Sequence, residues 1–288
     1  MMEKKLLVTA SPHIRAKTDS QSIMRDVIIA LLPTLLASIY YFGLRALLLC
    51  VVCVAASVLC EFLYQKWMGL PIRIGDLSAA LTGLLLALNL PATFPVWMAV
   101  VGCFVAIVVV KQLFGGLGKN FANPAIVGRI VLTLSFASHM AGAPSRVMDA
   151  VSGATPLAAA AAGEALPSYL DLFLGRVGGV MGETCKWALL LGAAYLLLRR
   201  VISITTPLAF MGSVFLLSIP LGMDPVYQIL SGGLILGAFF MATDYVTSPN
   251  TPKGEIIYGI GIGLLVCLIR YFGGYPEGVC YSILIMNI

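Results

Sequence analysis

Residues 45–65 read RALLLCVVCVAASVLCEFLYQ. Between Arg45 and Glu61 there is no charge, and the only hydroxyl is that of Ser57. A 21-residue helix rises about 31 Å, close to the roughly 30 Å thickness of a bilayer's hydrocarbon core. The run therefore reads as a helix whose surroundings are lipid and other apolar helices. The rest of the chain has the same texture. Of 288 residues, 60% are hydrophobic and 11% charged, and the mean hydropathy is +0.98. An ordinary soluble domain carries about 25% charged residues. A soluble globule cannot hide this much apolar surface. Disorder is excluded as well, because the chain is apolar and carries 13 Phe, 11 Tyr and 3 Trp. At about 20 residues per crossing the length allows roughly nine or ten spans.

Apolar runs separated by Gly, Pro and charge predict helices at 24–42, 45–65, 76–90, 95–113, 125–140, 184–198, 207–221, 226–242, 255–271 and 276–288. Several are short. A 15-residue helix rises only about 22 Å, so such segments must be broken, tilted or supported by neighbours. The residues before the first run are polar for too long to be a secretory signal and read as a cytoplasmic leader.

The net charge of +5 records orientation rather than a nucleic-acid partner, and no nucleic-acid motif is present. With the N-terminus in the cytoplasm and the helices alternating, Arg45, Arg146, Arg176, Lys186 and Arg270 fall outside, and the other 13 of the 18 Lys and Arg fall inside. The positive-inside rule favours this orientation, with both termini cytoplasmic. Five helices (with the leader, residues 1–140) precede an outside segment at 141–183, and five more follow at 184–288. An odd number in each half makes the second half start on the opposite side, which is the arithmetic of an inverted repeat. Thr82-Gly-Leu-Leu-Leu-Ala87 and Gly232-Gly-Leu-Ile-Leu-Gly237 are weakly alike. The expected fold is thus all-α and polytopic, with about ten transmembrane helices in two inverted five-helix halves.

The seven cysteines lie mostly in apolar runs, and no disulfide framework is indicated. Cys50 and Cys53 match a C-x-x-C spacing inside a hydrophobic helix; small-residue packing and an iron–sulfur ligand pair shared with a partner are the two readings. Gly259-Ile-Gly-Ile-Gly263 follows no strand, so it is a helix-packing stripe and not a dinucleotide turn.

The outside segment is long for a loop, and loops of this length usually carry function. In it Ser152-Gly153-Ala154 forms a small-residue turn that presents Thr155, and Pro156 keeps the threonine out of a preceding helix. A turn or cap residue fits this pattern, and so does an attachment site. Asp149 to Leu157 resembles an S/T-G-A-T flavinylation motif. Further stretches carry the likeness along the whole chain: Asp76 to Pro91, Lys111 to Ala125, Met241 to Pro249 and Tyr275 to Val279. Together they resemble the D-type membrane subunits of the Rnf ion-translocating oxidoreductases, and more distantly the B-type subunits of the Na⁺-translocating NADH:quinone reductases. Chains of that family usually continue past Met286 and Asn287 into a polar tail.

The resemblance implies a subunit of a translocase in the cell (inner) membrane that passes electrons between ferredoxin and NAD and is coupled to Na⁺ or H⁺ transport. It implies FMN joined through its phosphate to Thr155 by a flavin transferase, with Asp149, Ser152, Gly153 and Ala154 as the motif. Other membrane and peripheral subunits of the complex would be the partners, with NAD bound elsewhere. Charge counting places Thr155 outside, where the family's flavin transferase acts.

Phe114 to Ala125 is rich in glycine, and Asn120 and Asn123 can each donate and accept hydrogen bonds. A tight interhelical loop fits. The resemblance implies a second, non-covalent flavin (riboflavin) near this stretch, with Gly83 close by. Among ionisable groups near the membrane, Glu61, Asp76, Lys111, Arg129 and Asp244 stand out, because charges in a bilayer are paired or line a path. Asp76, Lys111 and Asp244 are expected at cytoplasmic helix ends. Asp244, with Thr247 and Ser248 following, offers hard oxygen ligands for an entering Na⁺ or a plain helix cap. Arg129 lies deeper and reads as a contact to a carboxylate or flavin. His13 and His139 read as interfacial, and no metal site is expected. The competing functional classes are a secondary transporter or channel on a 5+5 repeat and a structural anchor subunit.

Overall fold

The computed structural model describes residues 19–141, 143–144, 152–153, 155–162, 166–273 and 277–288. His13, Asp149 and Ala154 lie outside the described residues, and Ser152 and Gly153 are described in backbone only.

The apolar runs form helices. They are α1 Ser20–Phe42, α2 Leu44–Trp67, α3 Ser78–Leu88, α4 Val96–Phe104, α5 Pro124–Ser135, α6 Ala137–Ala141, α7 Pro156–Ala162, α8 Tyr169–Leu174, α9 Met181–Thr184, α10 Lys186–Leu198, α11 Thr205–Ser218, α12 Pro225–Leu230, α13 Leu234–Leu236, α14 Pro252–Phe272 and α15 Val279–Asn287. A two-residue antiparallel ladder pairs Ala143–Pro144 with Ser152–Gly153. Three of these helices, α1, α2 and α14, are long and apolar enough to cross a membrane on their own. Shorter apolar helices accompany them.

Local chemistry sets the starts. Among the described residues, four helices begin with a capping residue followed by proline, α7 among them; the other three show the pattern most plainly. Asn123 Oδ1 accepts from Ala125 N at 3.0 Å, Asp224 Oδ1 from Val226 N at 3.0 Å, and Thr251 Oγ1 from Gly254 N at 3.2 Å. Each cap satisfies an orphan N–H, and the proline at the first helical position lacks one. Gly43, at φ 71, separates α1 from α2 in a left-handed conformation that only glycine adopts freely.

Two helices change winding where the chemistry lies. The run from α4 continues as a π-helix over Val105–Gln112, and α13 continues as one over Gly237–Met241. π-turns are rare and frequent at functional sites. The expected helix at 226–242 is broken into α12 and α13, because Gly232 sits at φ 66 between them. Its apolar character is continuous, so hydropathy alone did not show the break. The expected helix at 125–140 stops at Ser135, and α6 starts after Phe136.

Hydrogen bonds sort the connections into two ends. At one end, Gln21 Nε2 reaches Gly75 O at 2.9 Å, Arg199 Nη2 reaches Asp26 Oδ2 at 3.2 Å, Ser203 Oγ reaches Glu255 Oε2 at 2.7 Å, and Asn123 N reaches Asn287 Oδ1 at 3.3 Å. At the other, Tyr41 Oη reaches Leu174 O at 2.7 Å, Arg45 Nε reaches Ala92 O at 3.1 Å, and Arg270 Nη1 reaches Gln228 O at 2.7 Å. The described residues between α5 and α10, with α7, α8 and α9, lie at this second end.

The core lies between α1, α3, α5, α10, α13 and α15, where Leu31, Leu86, Leu88, Ile126, Leu236 and Ile283 are buried. Leu36, Val51, Leu59, Leu216 and Ile257 point outward and are exposed. A contiguous apolar exterior of this kind marks contact with lipid or partner subunits. Cys50 and Cys53 face inward from α2 and are buried, and Cys103 Sγ lies 3.5 Å from Cys53 O. They are packed as small hydrophobic residues and are not presented to a partner's surface.

Candidate functional site

Two cavities collect the functional side chains, one at each end of the bundle. The larger, about 360 Å³, is within the range of small-molecule sites, roughly 300–1,000 Å³. Thr155 lines it. Pro156 starts α7 directly after Thr155, so the threonine caps that helix, and Ala158 N–H donates to Oγ1 at 3.2 Å. Tyr227 Oη donates to Pro156 O at 2.9 Å and ties the turn to α12. The capping reading is thus met, and the same oxygen still faces the cavity.

Around the same cavity is a buried charge network that sequence inspection did not find. Arg129 Nη1 donates to Asn89 Oδ1 at 2.7 Å, and Nη2 to Glu183 Oε1 at 2.9 Å and also to Glu277. Glu277 Oε1 accepts from Gly233 N at 2.9 Å. Lys186 Nζ donates to Gly232 O at 2.9 Å and to Glu183 O. Arg270 donates to Gln228 O and Oε1 at 2.7 and 2.9 Å and to Ser231 O at 3.2 Å. The expectation that Arg129 meets a carboxylate is met twice over, within the chain itself.

Burial and the charge of Glu277 push the Glu183 carboxyl up to about 7. Burial is the largest single influence on Glu277 too, but Arg129, the Gly233 N–H, Arg270 and its other partners together outweigh it and hold that carboxyl below the ordinary carboxylate range. On the cavity wall itself Arg129 and Lys186 stand against Glu183 and Glu277, with Arg270 behind them. Lys186 and Arg270 entered the sequence reading only as orientation charges. The signal available was that both fell on the side with few positive charges.

The second cavity is about 80 Å³ and is lined by Ser78, Thr82, Lys111, Asn120, Asn123, Asp244 and the aromatic faces of Phe239 and Phe240, among others. The structure brings Asn120, Asn123 and Asp244 together here. Asn123 is largely committed, since its Oδ1 caps α5 and its Nδ2 donates to Met241 O at 3.4 Å. Asn120 Nδ2 donates to Ala122 O at 3.0 Å. Asp244 Oδ2 accepts from Thr247 Oγ1 at 3.2 Å, whereas Ser248 reaches Asp244 through its backbone N at 3.0 Å. Gly83 does not line this cavity. It is a contact glycine, because a Cβ there would sit 2.6 Å from Cys53 O on α2.

Lys111 stands in the last turn of its helix, as expected, but is buried there, 2.8 Å from the equally buried Glu61 and 2.6 Å from Ser78 Oγ. The π-winding sets it inward. Glu61 also accepts from Gln112 at 2.7 Å and Gln65 at 3.2 Å, so the pair is saturated with donors.

Fold and site together define an all-helical, multi-pass membrane protein with a charged cavity at one end and a smaller, mainly apolar one at the other. Residues 7–288 match the NQR2, RnfD, RnfE family, and the chain belongs to it. The D-type subunit of the Na⁺-translocating ferredoxin:NAD⁺ oxidoreductase complex of Acetobacterium woodii is 50% identical, over all of this chain and 92% of that protein. Its counterpart in the proton-translocating ferredoxin:NAD⁺ oxidoreductase complex of Clostridium ljungdahlii is 40% identical, over 97% of this chain and 91% of that one. The D-type subunit of an ion-translocating oxidoreductase complex of Alcanivorax borkumensis is 35% identical, over 98% and 92%.

Proposed function

We propose that this chain is the flavin-bearing, D-type membrane subunit of an ion-translocating ferredoxin:NAD⁺ oxidoreductase complex, with FMN esterified to Thr155. The observation that carries the reading is the position of Thr155 on a cavity of about 360 Å³ that Arg129, Lys186 and Glu183 also line. The residues fit the group. The hydroxyl is half-buried on the cavity, and its capping bond uses only a lone pair of the oxygen, leaving the O–H free to be replaced. A flavin bound there supplies one-electron acceptance and donation. Arg129 and Lys186 hold positive charge where an electron would dwell, and the apolar side chains of Ile130, Leu157 and Leu230 limit water.

The second cavity, with Asn120 and Asn123, is read as a site for a non-covalent flavin (riboflavin) at the cytoplasmic end. Asp244 is read there as a cation-attracting carboxylate on the ion path. The fold is read as ten crossings in two inverted halves, with α1 to α5 corresponding to α10, α11, α13, α14 and α15. Two features support this. The equivalents α1 and α10 pack on each other, as do α5 and α15. Near the C-terminal ends of the equivalent helices, Lys111 reaches the entry of α3 at Ser78, and Arg270 reaches the approach to α13 at Ser231. Those two contacts lie at opposite ends, as inversion requires. With most of the 18 basic residues assigned to its side by the charge count, Arg129 now joining the network at the other end, the Asn287 end is read as cytoplasmic and the Thr155 end as the face met by the flavin transferase. The other subunits of the complex are the partners.

The test is flavin fluorescence of the denatured polypeptide on a gel. A phosphoester survives denaturation and a bound flavin does not, so the wild-type band should fluoresce. Thr155→Ala should abolish the signal with the protein still in the membrane, and Thr155→Ser should retain part of it. A fluorescent band in Thr155→Ala would overturn the assignment. For orientation, with the native cysteines replaced, Leu166→Cys should react with an impermeant thiol reagent from outside and Asn250→Cys should not.

A further inference from the structure

The Thr155 cavity contains two carboxylates that share one guanidinium. Arg129 contacts both Glu183 and Glu277. Bridged by one guanidinium, the two carboxyl groups repel one another when both are charged, so the less well held of them gains affinity for a proton. Their surroundings decide which. Glu277 accepts from Gly233 N–H at 2.9 Å and has Arg270 as a second positive neighbour. The ammonium of Lys186, the nearest other cation to Glu183, turns to the backbone oxygens of Glu183 and Gly232 and leaves the Glu183 side chain to Arg129.

The ionisable groups facing Glu183 come from four directions. They are Arg129 on α5, Lys186 on α10, Arg270 on α14, and Glu277 with the Cys280 thiol at the start of α15. The remaining neighbours of α9 are neutral: Ser38 on α1 donates to Met181 O at 2.9 Å, and Leu88 and Leu236 pack against Gly182. Glu183 is therefore the weakest-held negative charge of the network and lines the cavity directly; the other group lining it with a shifted charge near neutrality is Lys186, whose ammonium burial pushes down to about 8.

We infer that Glu183 is a redox-linked proton site: it takes up as much as one proton from cavity water when an electron arrives beside Thr155, and returns it when the electron leaves. The inference rests on the flavin reading of Thr155. The charge balances, since one negative charge enters and one carboxylate is neutralised. The only bond made is O–H on Glu183, with the proton drawn from water and the electron supplied and removed by the redox partners. A carboxylate gains proton affinity when a further negative charge comes near it.

The experiment is a redox titration of the covalent flavin in the purified complex, repeated across pH. Without the electron, Glu183 titrates at about 7; with it, the titration moves higher. The wild-type midpoint potential should therefore be flat below about pH 7 and fall as pH rises above it. In Glu183→Gln the break at about pH 7 should be lost, because the amide mimics the protonated acid and cannot titrate, leaving only the later slope that Lys186 contributes. The carbonyl-stretch band of a protonated carboxyl should appear in the wild-type reduced-minus-oxidised infrared difference spectrum and vanish in the variant. Where Glu183→Gln does not accumulate, Glu183→Asp replaces it, and there the break in the pH profile should move. An unchanged pH dependence in either variant, with the flavin fluorescence on the denatured chain intact, would overturn the proton role alone. Absence of that fluorescence from the wild-type chain would instead overturn the reading of Thr155.

Discussion

The two cavities are built from opposite materials. The one beside Thr155 is large, about 360 Å³, and is walled by charges that neutralise one another across elements. The one beside Asn120 is small, about 80 Å³, and its wall is mainly aliphatic and aromatic, with the Asn120 and Asn123 amides, a few hydroxyls, Lys111 and Asp244 set into it. In the first, Arg129, Glu183, Lys186, Arg270 and Glu277 come from separate helices and connections. In the second, Asn120 and Asn123 come from one short loop. A site made of charges depends on several long-range placements holding at once. A site made of a loop depends on one turn.

That contrast can be broken most forcefully at Arg129. Arg129→Gln leaves Glu183 and Glu277 facing each other without their shared cation. Removing one member of a buried ion network costs about 3–5 kcal/mol. We expect a large drop in the thermal unfolding midpoint of the purified protein. Without the guanidinium, both carboxyls titrate higher in the folded state than in the unfolded chain. Stability should therefore be best preserved at low pH and lost as pH rises through those raised values. A variant as stable as wild type at alkaline pH would show that the network is not what holds this end together.

A smaller effect sharpens the comparison at the other end. Lys111→Met alone leaves Glu61 buried and unpaired, and should destabilise by about 3–5 kcal/mol if the carboxylate stays charged, less if it protonates. The double substitution Glu61→Leu with Lys111→Met replaces the pair by apolar groups and should recover most of that loss. Thermal unfolding of the three proteins reads the difference. Failure of the double variant to recover would give the pair a role beyond its own neutralisation.

The smallest expected effect is at Asp244. Asp244→Asn keeps the size and the bond from Thr247 but removes the charge. If Asp244 attracts the coupling ion, the variant complex should need several-fold more Na⁺, or a lower pH, for half-maximal electron transfer. Covalent flavin should be unchanged, because Thr155 lies at the other end. Overlaid ion-dependence curves would leave Asp244 as a turn residue holding Thr247, a bond that Asn can also accept.

The sequence determined the elements and the single-residue chemistry. Uninterrupted apolar runs became helices, and Asn123-Pro124, Asp224-Pro225 and Thr251-Pro252 started three of them, because capping and proline geometry are local. Thr155, Asn120 and Asn123 were legible as short motifs for the same reason: a turn or a cap is decided within a few residues. Tertiary structure alone decided what those motifs face. Gly232 breaks an apolar run that hydropathy reads as continuous, the π-winding after α4 turns Lys111 inward onto Glu61, and Gly83 is spent on the approach of α3 to α2. The charge network around Arg129 joins residues as far apart in sequence as 129 and 277. No periodicity reports such a pairing, because an ion pair in a low-dielectric interior is specified by where helices cross, and that is a property of the packed bundle and not of any segment within it.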